Sequence, residues 1–285
     1  MKVGVHPNNL HLFLAGRWDG AFSASDVSFV AYPEGRDSAR LLEAGTIDIC
    51  GTGSTPPILA QANGLDVLYV AASAPRPANG GIVTGPSSNI RDVADLKGAR
   101  IALLDGSFHT YLLARVLETA GLRLSDVQRV ELAPGASLRA LGEGEVDAWV
   151  AMAPLLDQSL RAGKARLLAP CGDTIPNRSV FWTLRRRELP RGVLEAFIRS
   201  LMAFGEAISH QPDEAARLLA DEGAGPVDLA AWKKAVETRD WRIVPAGPDI
   251  IAEQQAEADT LVRHGDLPDT LTLTDVALVP NVAIA

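Results

Sequence analysis

The stretch LEAGTID at residues 42–48 has a counterpart in LGEGEVD at residues 141–147, about a hundred positions later. Both copies predict a helix that ends at a glycine, a tight turn, and an apolar strand with an aspartate inside it. After each strand come another turn and a helix beginning at Pro56 or Pro154. The chain therefore repeats one α/β module, and two similar lobes are the simplest architecture that accounts for the repeat.

Two connecting segments indicate how such lobes would be joined. Residues 73–81 and 170–178 are rich in proline, glycine and asparagine, and an extended apolar run follows each of them. If the chain crosses between lobes at both segments, the first lobe contains residues 1–80 and 182–285, and the second contains residues 81–181. Two lobes joined by two short connections can close around a cleft, which suits the capture of a small molecule.

The pattern in the rest of the chain is typical of an α/β protein. Short apolar runs alternate with helical periodicity over the first two thirds of the sequence. The last hundred residues are predicted to be mostly helical, with helices over residues 190–210, 212–221, 229–239 and 249–264. We therefore predict an α/β fold with a helical C-terminal part.

Composition narrows the classes of function. The 285 residues carry a net charge of −8, and nucleic acid is not an expected partner because phosphate binding needs a concentrated basic surface. Cys50 and Cys171 are too far apart for a metal or redox motif and are expected to be small buried side chains. No phosphate-loop or dinucleotide glycine pattern occurs, so we predict neither a metal nor a cofactor.

Three loops are candidates for binding an anion. Asn8, Thr55 and Ser107 each follow a predicted strand and are expected to cap the helix that comes next. Each loop offers backbone N–H groups, a polar side chain and the positive end of a helix dipole, a combination that favours a tetrahedral oxyanion. If the two-lobe topology holds, the three loops converge on the cleft.

Two histidines fall in these loops, one from each predicted lobe. His6 and His109 are candidates to donate a hydrogen bond to a ligand, and a purely structural role is an equal alternative. No nucleophile motif such as Gly-x-Ser-x-Gly accompanies them.

Residues 45–62, with the sequence GTIDICGTGSTPPILAQA, resemble the substrate-binding proteins of aliphatic sulfonate ABC importers. These proteins belong with the taurine and nitrate binders to the type II periplasmic binding fold, which has two α/β lobes and a ligand cleft between them. The resemblance continues through DVADLKG at residues 92–98 and VDAW at residues 146–149. It reaches the tail after Glu253 and therefore covers nearly the whole chain.

The resemblance implies a small anionic, sulfonate-like ligand in the interlobe cleft, delivery of that ligand to a membrane permease, and no chemical conversion. The candidate ligand-binding residues are His6, Asn8, Thr52, Ser54, Thr55, Ser107, Phe108, His109, Thr110, Trp149, Met152 and Trp182.

Two departures from the family pattern alter the expected pocket. Sulfonate binders usually have Trp-Asp-Pro after Val-Asp-Ala-Trp, whereas this chain has Met152-Ala153-Pro154 and so lacks a large aromatic side chain and an acid there. The family tends to have lysine or glutamine after the first strand, where this chain has His6-Pro7. The pocket chemistry is therefore expected to differ from that of the usual alkanesulfonate binders.

Two functions are compatible with the sequence. An exported binding protein would have had its leader removed and would act as a monomer in the periplasm or at the extracellular side of the membrane, beside its ABC permease. If Met1 is the native start, a cytoplasmic enzyme on the same fold is the alternative, a desulfinase-like lyase or hydrolase with His6 or His109 as acid–base. The aromatic sulfinate desulfinases and a pyrimidine synthase of thiamine biosynthesis share this fold. The desulfinases, however, use a cysteine where this chain has His6-Pro7.

Overall fold

A computed structural model of the chain describes residues 1–22, 26–172, 175–222, 227–274 and 276–278. Over these residues, eleven strands form two mixed sheets, and helices pack against both. The predicted α/β class is confirmed. None of the described helices is both long and apolar enough to cross a membrane.

The strands are numbered in chain order: β1 (Lys2–Val5), β2 (Ser28–Ala31), β3 (Ile49–Thr52), β4 (Val67–Ser73), β5 (Gly80–Thr84), β6 (Arg100–Leu103), β7 (Gln128–Glu131), β8 (Ala148–Met152), β9 (Arg166–Pro170), β10 (Val180–Leu184) and β11 (Ile243–Pro245). The first sheet has the order β11-β4-β10-β3-β1-β2, and the second has the order β7-β6-β8-β5-β9. Strand β11 has only three residues, too few to show a periodicity in the sequence.

Ten α-helices are described: α1 (Leu10–Ala15), α2 (Ser38–Glu43), α3 (Thr55–Ala62), α4 (Phe108–Glu118), α5 (Pro134–Glu143), α6 (Leu155–Arg161), α7 (Arg191–His210), α8 (Pro212–Glu222), α9 (Leu229–Glu237) and α10 (Pro248–Arg263). The four helices predicted in the last hundred residues correspond to α7 to α10, with ends that agree within two residues.

The repeated stretches fold alike at their turns. Gly45 follows the end of α2 and Gly144 follows the end of α5, and both adopt left-handed φ angles, +71° and +74°. Glycine reaches this region without the steric cost that a Cβ atom imposes, which is why each repeat has a glycine there. Each turn sends the chain directly into a central strand of its sheet, β3 or β8.

The aspartate of each repeat fastens its strand to the neighbouring one. The Asp48 carboxylate accepts the backbone N–H of Lys2 at 2.7 Å, and the Asp147 carboxylate accepts the backbone N–H of Arg100 at 2.8 Å. Each carboxylate also pairs with a guanidinium, Arg187 for Asp48 at 2.6 Å and Arg100 for Asp147 at 2.9 Å. These hydrogen bonds lower the pKa of both carboxyl groups against the opposing effect of burial.

The chain passes between the sheets twice, after β4 and after β9. Two hydrogen bonds join these connections where they leave the first sheet, from Ser73 N to Ser179 O at 2.9 Å and from Ser179 N to Ser73 Oγ at 3.0 Å. Asp173 and Thr174 of the second predicted connection lie outside the described residues. The two sheets show which strands pair, but they do not show which parts of the chain fold as independent units. The predicted lobes, residues 1–80 with 182–285 and residues 81–181, therefore stay a prediction.

Each sheet has its own apolar core. Phe181 on β10 is fully buried in the core between the first sheet and the C-terminal helices, and Leu113 on α4 is fully buried in the core of the second sheet. Cys50 and Cys171 are buried free thiols, as predicted.

We expect Asp48→Ala to lower the free energy of unfolding by about 2 kcal/mol, since two hydrogen bonds to a charged group are lost. Asp147→Ala should cost less, about 1 kcal/mol, because its side chain is 34% exposed against 15% for Asp48. Urea unfolding at pH 7 measures both changes. Asp66→Ala is the matched control, because its pairing with Arg185 is solvent-exposed. A loss at Asp48 no larger than that of this control would contradict the assigned role.

Candidate functional site

A cavity of about 430 Å³ lies between the two sheets. The loops that follow β1 and β3 line it from the first sheet, and the loops that follow β6 and β8 line it from the second. Helices α8 and α9 and both connections between the sheets complete the wall. Loops at the carboxyl ends of strands are the usual place for a ligand in α/β folds.

Most of the candidate residues line this cavity: His6, Asn8, Thr52, Ser107, Phe108, His109, Trp149 and Met152. Ser54, Thr55, Thr110 and Trp182 lie outside its lining. Trp182 is fully buried in the first sheet, where its indole N–H donates to Thr52 Oγ1 at 3.0 Å. Thr110 donates its hydroxyl to Asp105 Oδ1 at 2.7 Å.

Two of the three predicted helix caps are wrong. Asn9 rather than Asn8 caps α1, where its side-chain oxygen accepts the N–H of Leu12 at 3.1 Å. Thr55 is the first residue of α3 rather than its cap. Its hydroxyl donates to the carboxyl group of Glu257, which α10 brings to this point. Only tertiary packing could reveal that partner.

The third prediction is confirmed, but the Ser107 hydroxyl already donates its proton within the protein and has none left for an oxyanion. Ser107 Oγ accepts the N–H of His109 at 3.2 Å and donates to Leu104 O at 2.6 Å. Asp105 also lies at this end of α4, where its carboxylate accepts the N–H of Gly106 at 3.1 Å. The helix start is therefore already served by the protein's own acceptors, which weakens the physical basis for placing an oxyanion there.

His6 presents an acceptor to its surroundings rather than a donor. Its Nε2 lies 2.8 Å from Gly51 O, and since a carbonyl oxygen only accepts, Nε2 holds the proton. Burial lowers the pKa of His6 to about 4, so the ring is neutral at pH 7 and Nδ1 has a free lone pair. The Nδ1 atom is buried and has no hydrogen-bond partner among the described residues.

His109 has the same tautomer as His6, but the protein engages the other ring nitrogen. Its Nδ1 accepts the backbone N–H of Leu104 at 3.3 Å, so Nε2 holds the proton of the neutral ring. Burial, together with the nearby Arg36, lowers the pKa of His109 to about 4. Of the two cavity histidines, His109 alone can therefore donate to a ligand at pH 7.

Two cationic side chains that the sequence analysis did not single out also line the cavity. Arg76 lies in the connection after β4, and Arg239 follows α9. Among the described residues, neither guanidinium forms an ion pair. Burial lowers the pKa of Arg76 to about 10, and burial together with Arg76 holds the pKa of Arg239 well below its usual range. These are the groups that an anionic ligand would neutralise.

Asn177 completes this end of the cavity. Its backbone oxygen accepts Arg76 Nε–H at 2.9 Å, and its side-chain oxygen accepts Arg76 Nη2–H at 3.2 Å. Arg76 and Asn177 both lie in the connections predicted from composition. A cationic and an amide side chain in these segments could have identified them as candidate ligand-binding residues. Arg239 gave no such signal, because only the packing of α9 brings it to the cavity.

The remainder of the wall is largely apolar. Leu10, Phe108, Leu155, Val227 and Trp232 line it from both sides. Met152, Ala153 and Pro154 line it as well, so the departure from the Trp-Asp-Pro pattern falls on the cavity surface.

Arg36 closes one side of the cavity by linking the sheets. Its guanidinium lies 2.8 Å from the Glu131 carboxylate and donates to Asp105 O at 2.9 Å, and both partners belong to the second sheet's side. It also pairs with Glu34 at 2.6 Å. Arg36 is therefore internally neutralised, in contrast to Arg76 and Arg239.

Comparison with known proteins places this geometry in a family. Residues 24–166 match the model of the family described as NMT1/THI5 like. A protein of Escherichia coli (strain K12) named as an aliphatic sulfonates-binding protein is 31% identical over 276 residues, covering 94% of this chain and 85% of the relative. The chain belongs to the NMT1/THI5-like family.

Solved structures agree with the fold of this family member. The alkanesulfonate-binding protein SsuA from Xanthomonas axonopodis pv. citri, solved bound to MOPS, superposes with a TM-score of 0.85 at 28% identity, covering 97% of this chain and 96% of that one. The periplasmic aliphatic sulphonate binding protein SsuA from Escherichia coli gives a TM-score of 0.84 at 28% identity, with coverage of 100% and 94%.

The titration of Glu257, next to α3, makes the stability of the fold depend on pH. Its side chain is buried, and burial raises its pKa to about 7 against the hydrogen bond from Thr55. A raised carboxyl pKa stabilises the fold below the unfolded value near 4.5, and this stabilisation is lost as the pH rises through about 7.

We therefore expect Glu257→Gln to be more stable than the wild type at pH 8, by on the order of 2 kcal/mol. The reason is that the amide is neutral, whereas the buried carboxyl group of the wild type is ionised at this pH. Below about pH 5 the difference should vanish. Thermal or urea unfolding across this range measures it, with Glu253→Gln as the control because Glu253 is partly exposed and pairs with Arg178. A constant difference at all pH values would contradict the assignment of the titration to Glu257.

Proposed function

We propose that this chain is the substrate-binding protein of an ABC importer and captures an aliphatic sulfonate in the cavity between the two sheets. One observation carries the proposal: a largely apolar cavity holds two guanidinium groups, on Arg76 and Arg239, that form no ion pair among the described residues. A ligand with one permanently charged end and an apolar tail matches both parts of this surface.

The relatives support the same ligand class. The Escherichia coli relative is named for aliphatic sulfonates, and the Xanthomonas structure contains MOPS, which is itself a sulfonate. The Escherichia coli structure is described as periplasmic. As part of the proposal, we assign this chain a periplasmic location, an ABC permease as its partner, and action as a monomer.

Capture without conversion is favoured over the enzyme alternative. His6 and His109 are neutral at pH 7, and the His6 proton is already given to Gly51. The thiol of Cys50 is buried and directed to a backbone oxygen, that of Trp182, at 3.7 Å. Burial also raises the pKa of this thiol, so it does not supply a thiolate nucleophile.

The cavity wall indicates a preference for an apolar tail. Met152 and Ala153 replace the aromatic residue and the acid of the usual pattern, and methionine adapts its shape to different tails. The volume of about 430 Å³ leaves room for a chain of several carbons beside the charged group.

Isothermal titration with linear alkanesulfonates from ethane- to octanesulfonate tests the proposal. We expect binding to strengthen by up to about 0.8 kcal/mol for each methylene that enters the apolar wall, and then to level off when the cavity is full. The corresponding alcohols are the matched control and should not bind, because they leave both guanidinium charges unpaired.

Mass spectrometry of each ligand after incubation decides between the two functions. A ligand recovered unchanged supports the binding protein. Conversion that disappears in His109→Ala would instead establish the enzyme, and the absence of binding by any sulfonate would refute the proposed ligand class.

A further inference from the structure

We propose that Arg76, Asn177 and Arg239 form a dedicated oxyanion site at the end of the cavity where the two connections between the sheets meet. This inference rests on the proposed function, and it assigns the ligand's charged group to a place different from the helix starts that the sequence pointed to. The site takes a tetrahedral oxyanion through N–H donors from three separate segments of the chain.

Unpaired donors on Arg239 are the first observation. Its Nε and Nη2 atoms are buried and have no hydrogen-bond partner among the described residues. The guanidinium is held in place by the indole of Trp241, whose ring centroid lies 4.6 Å from Arg239 Cζ. A fixed guanidinium with free N–H groups is suited to bidentate recognition of an oxyanion.

Asn177 supplies an independent observation. It is only 4% exposed and lines the cavity, and its side-chain nitrogen has no hydrogen-bond partner among the described residues. Its φ of +45° lies in the left-handed region, which costs free energy for a residue other than glycine, although asparagine tolerates it better than most. The conformation is maintained by the two hydrogen bonds from Arg76.

The positive charge around Arg76 and Arg239 is the third observation. Beyond the effect of burial, Arg76 lowers the pKa of Arg239, and both guanidinium groups lower the pKa of the fully buried His11, so this region has an excess of positive charge. Burying a cation without a partner is costly, and an oxyanion is the ligand that removes this cost. The helix starts of α3 and α4, in contrast, already lie beside the carboxyl groups of Glu257 and Asp105.

Binding here would also join the two connections and α9. Arg76 belongs to the first connection, Asn177 to the second, and Arg239 follows α9. One oxyanion that accepts from all three would therefore tie the first sheet's side to both segments through which the chain passes between the sheets.

Two variants test the site without depending on which tail the ligand has. Arg239→Met removes the unpaired cation and keeps an unbranched apolar side chain in place of the arginine stem. Asn177→Asp places a carboxylate where the oxyanion would bind, and aspartate tolerates the left-handed conformation. Arg242→Met is the control, because that guanidinium is exposed and pairs with Asp240.

We expect both variants, without ligand, to melt about 2 °C or more above the wild type, because an uncompensated buried charge has been removed or paired. We also expect each to bind octanesulfonate at least about thirtyfold more weakly in calorimetry. Arg242→Met should leave the affinity unchanged. Loss of affinity together with a gain in stability is the signature of a ligand site, since a merely structural residue would lose both.

The probes are sodium octanesulfonate, octanoate, octylphosphonate and inorganic sulfate, so that the site and the ligand class can fail separately. If the wild type binds octanoate or octylphosphonate but no sulfonate, the proposed function is wrong, and the site stands if Arg239→Met and Asn177→Asp lose that ligand. If both variants bind the preferred oxyanion as the wild type does, or if the wild type binds none of the four, the site is refuted.

Discussion

Arg76 ties together the two segments that connect the sheets, and the cavity depends on this contact. Its backbone N–H donates to Pro176 O at 2.8 Å, and its guanidinium donates twice to Asn177. Because these bonds hold both connections at one end of the cleft, the loops after the strands of each sheet face each other across a common space. The same guanidinium lines that space, so one side chain both shapes the cleft and gives it positive charge.

Stability and function oppose each other at this end of the molecule. Arg76 and Arg239 lie near each other, partly buried and with no ion pair among the described residues, and Asn177 adopts a left-handed backbone conformation. Each feature lowers the stability of the empty protein, and each would be compensated by an oxyanion. The aspartates at the far ends of the central strands have the opposite character, since Asp48 and Asp147 each pair with a guanidinium of the protein itself.

The fold was more predictable from the sequence than the site. The repeats at residues 42–48 and 141–147 are local patterns that predict the turns and the strands after them, and the local composition of residues 73–81 and 170–178 predicts the two connections. The cleft loops around His6 and Ser107 follow from the same topology. Hydrogen-bond partners that are distant in sequence do not follow from the topology. Thr55 was therefore predicted to cap its helix, whereas its hydroxyl donates to Glu257. Arg239 reaches the cavity only through the packing of α9.

The most direct test is a crystal structure of the protein with octanesulfonate. The account predicts sulfonate oxygens within about 3.2 Å of the Arg239 guanidinium and of the Asn177 side-chain nitrogen, with the alkyl tail along Met152 and Trp232. A sulfonate at the start of α4, beside Ser107 and His109, with Arg239 still without a partner, would contradict it.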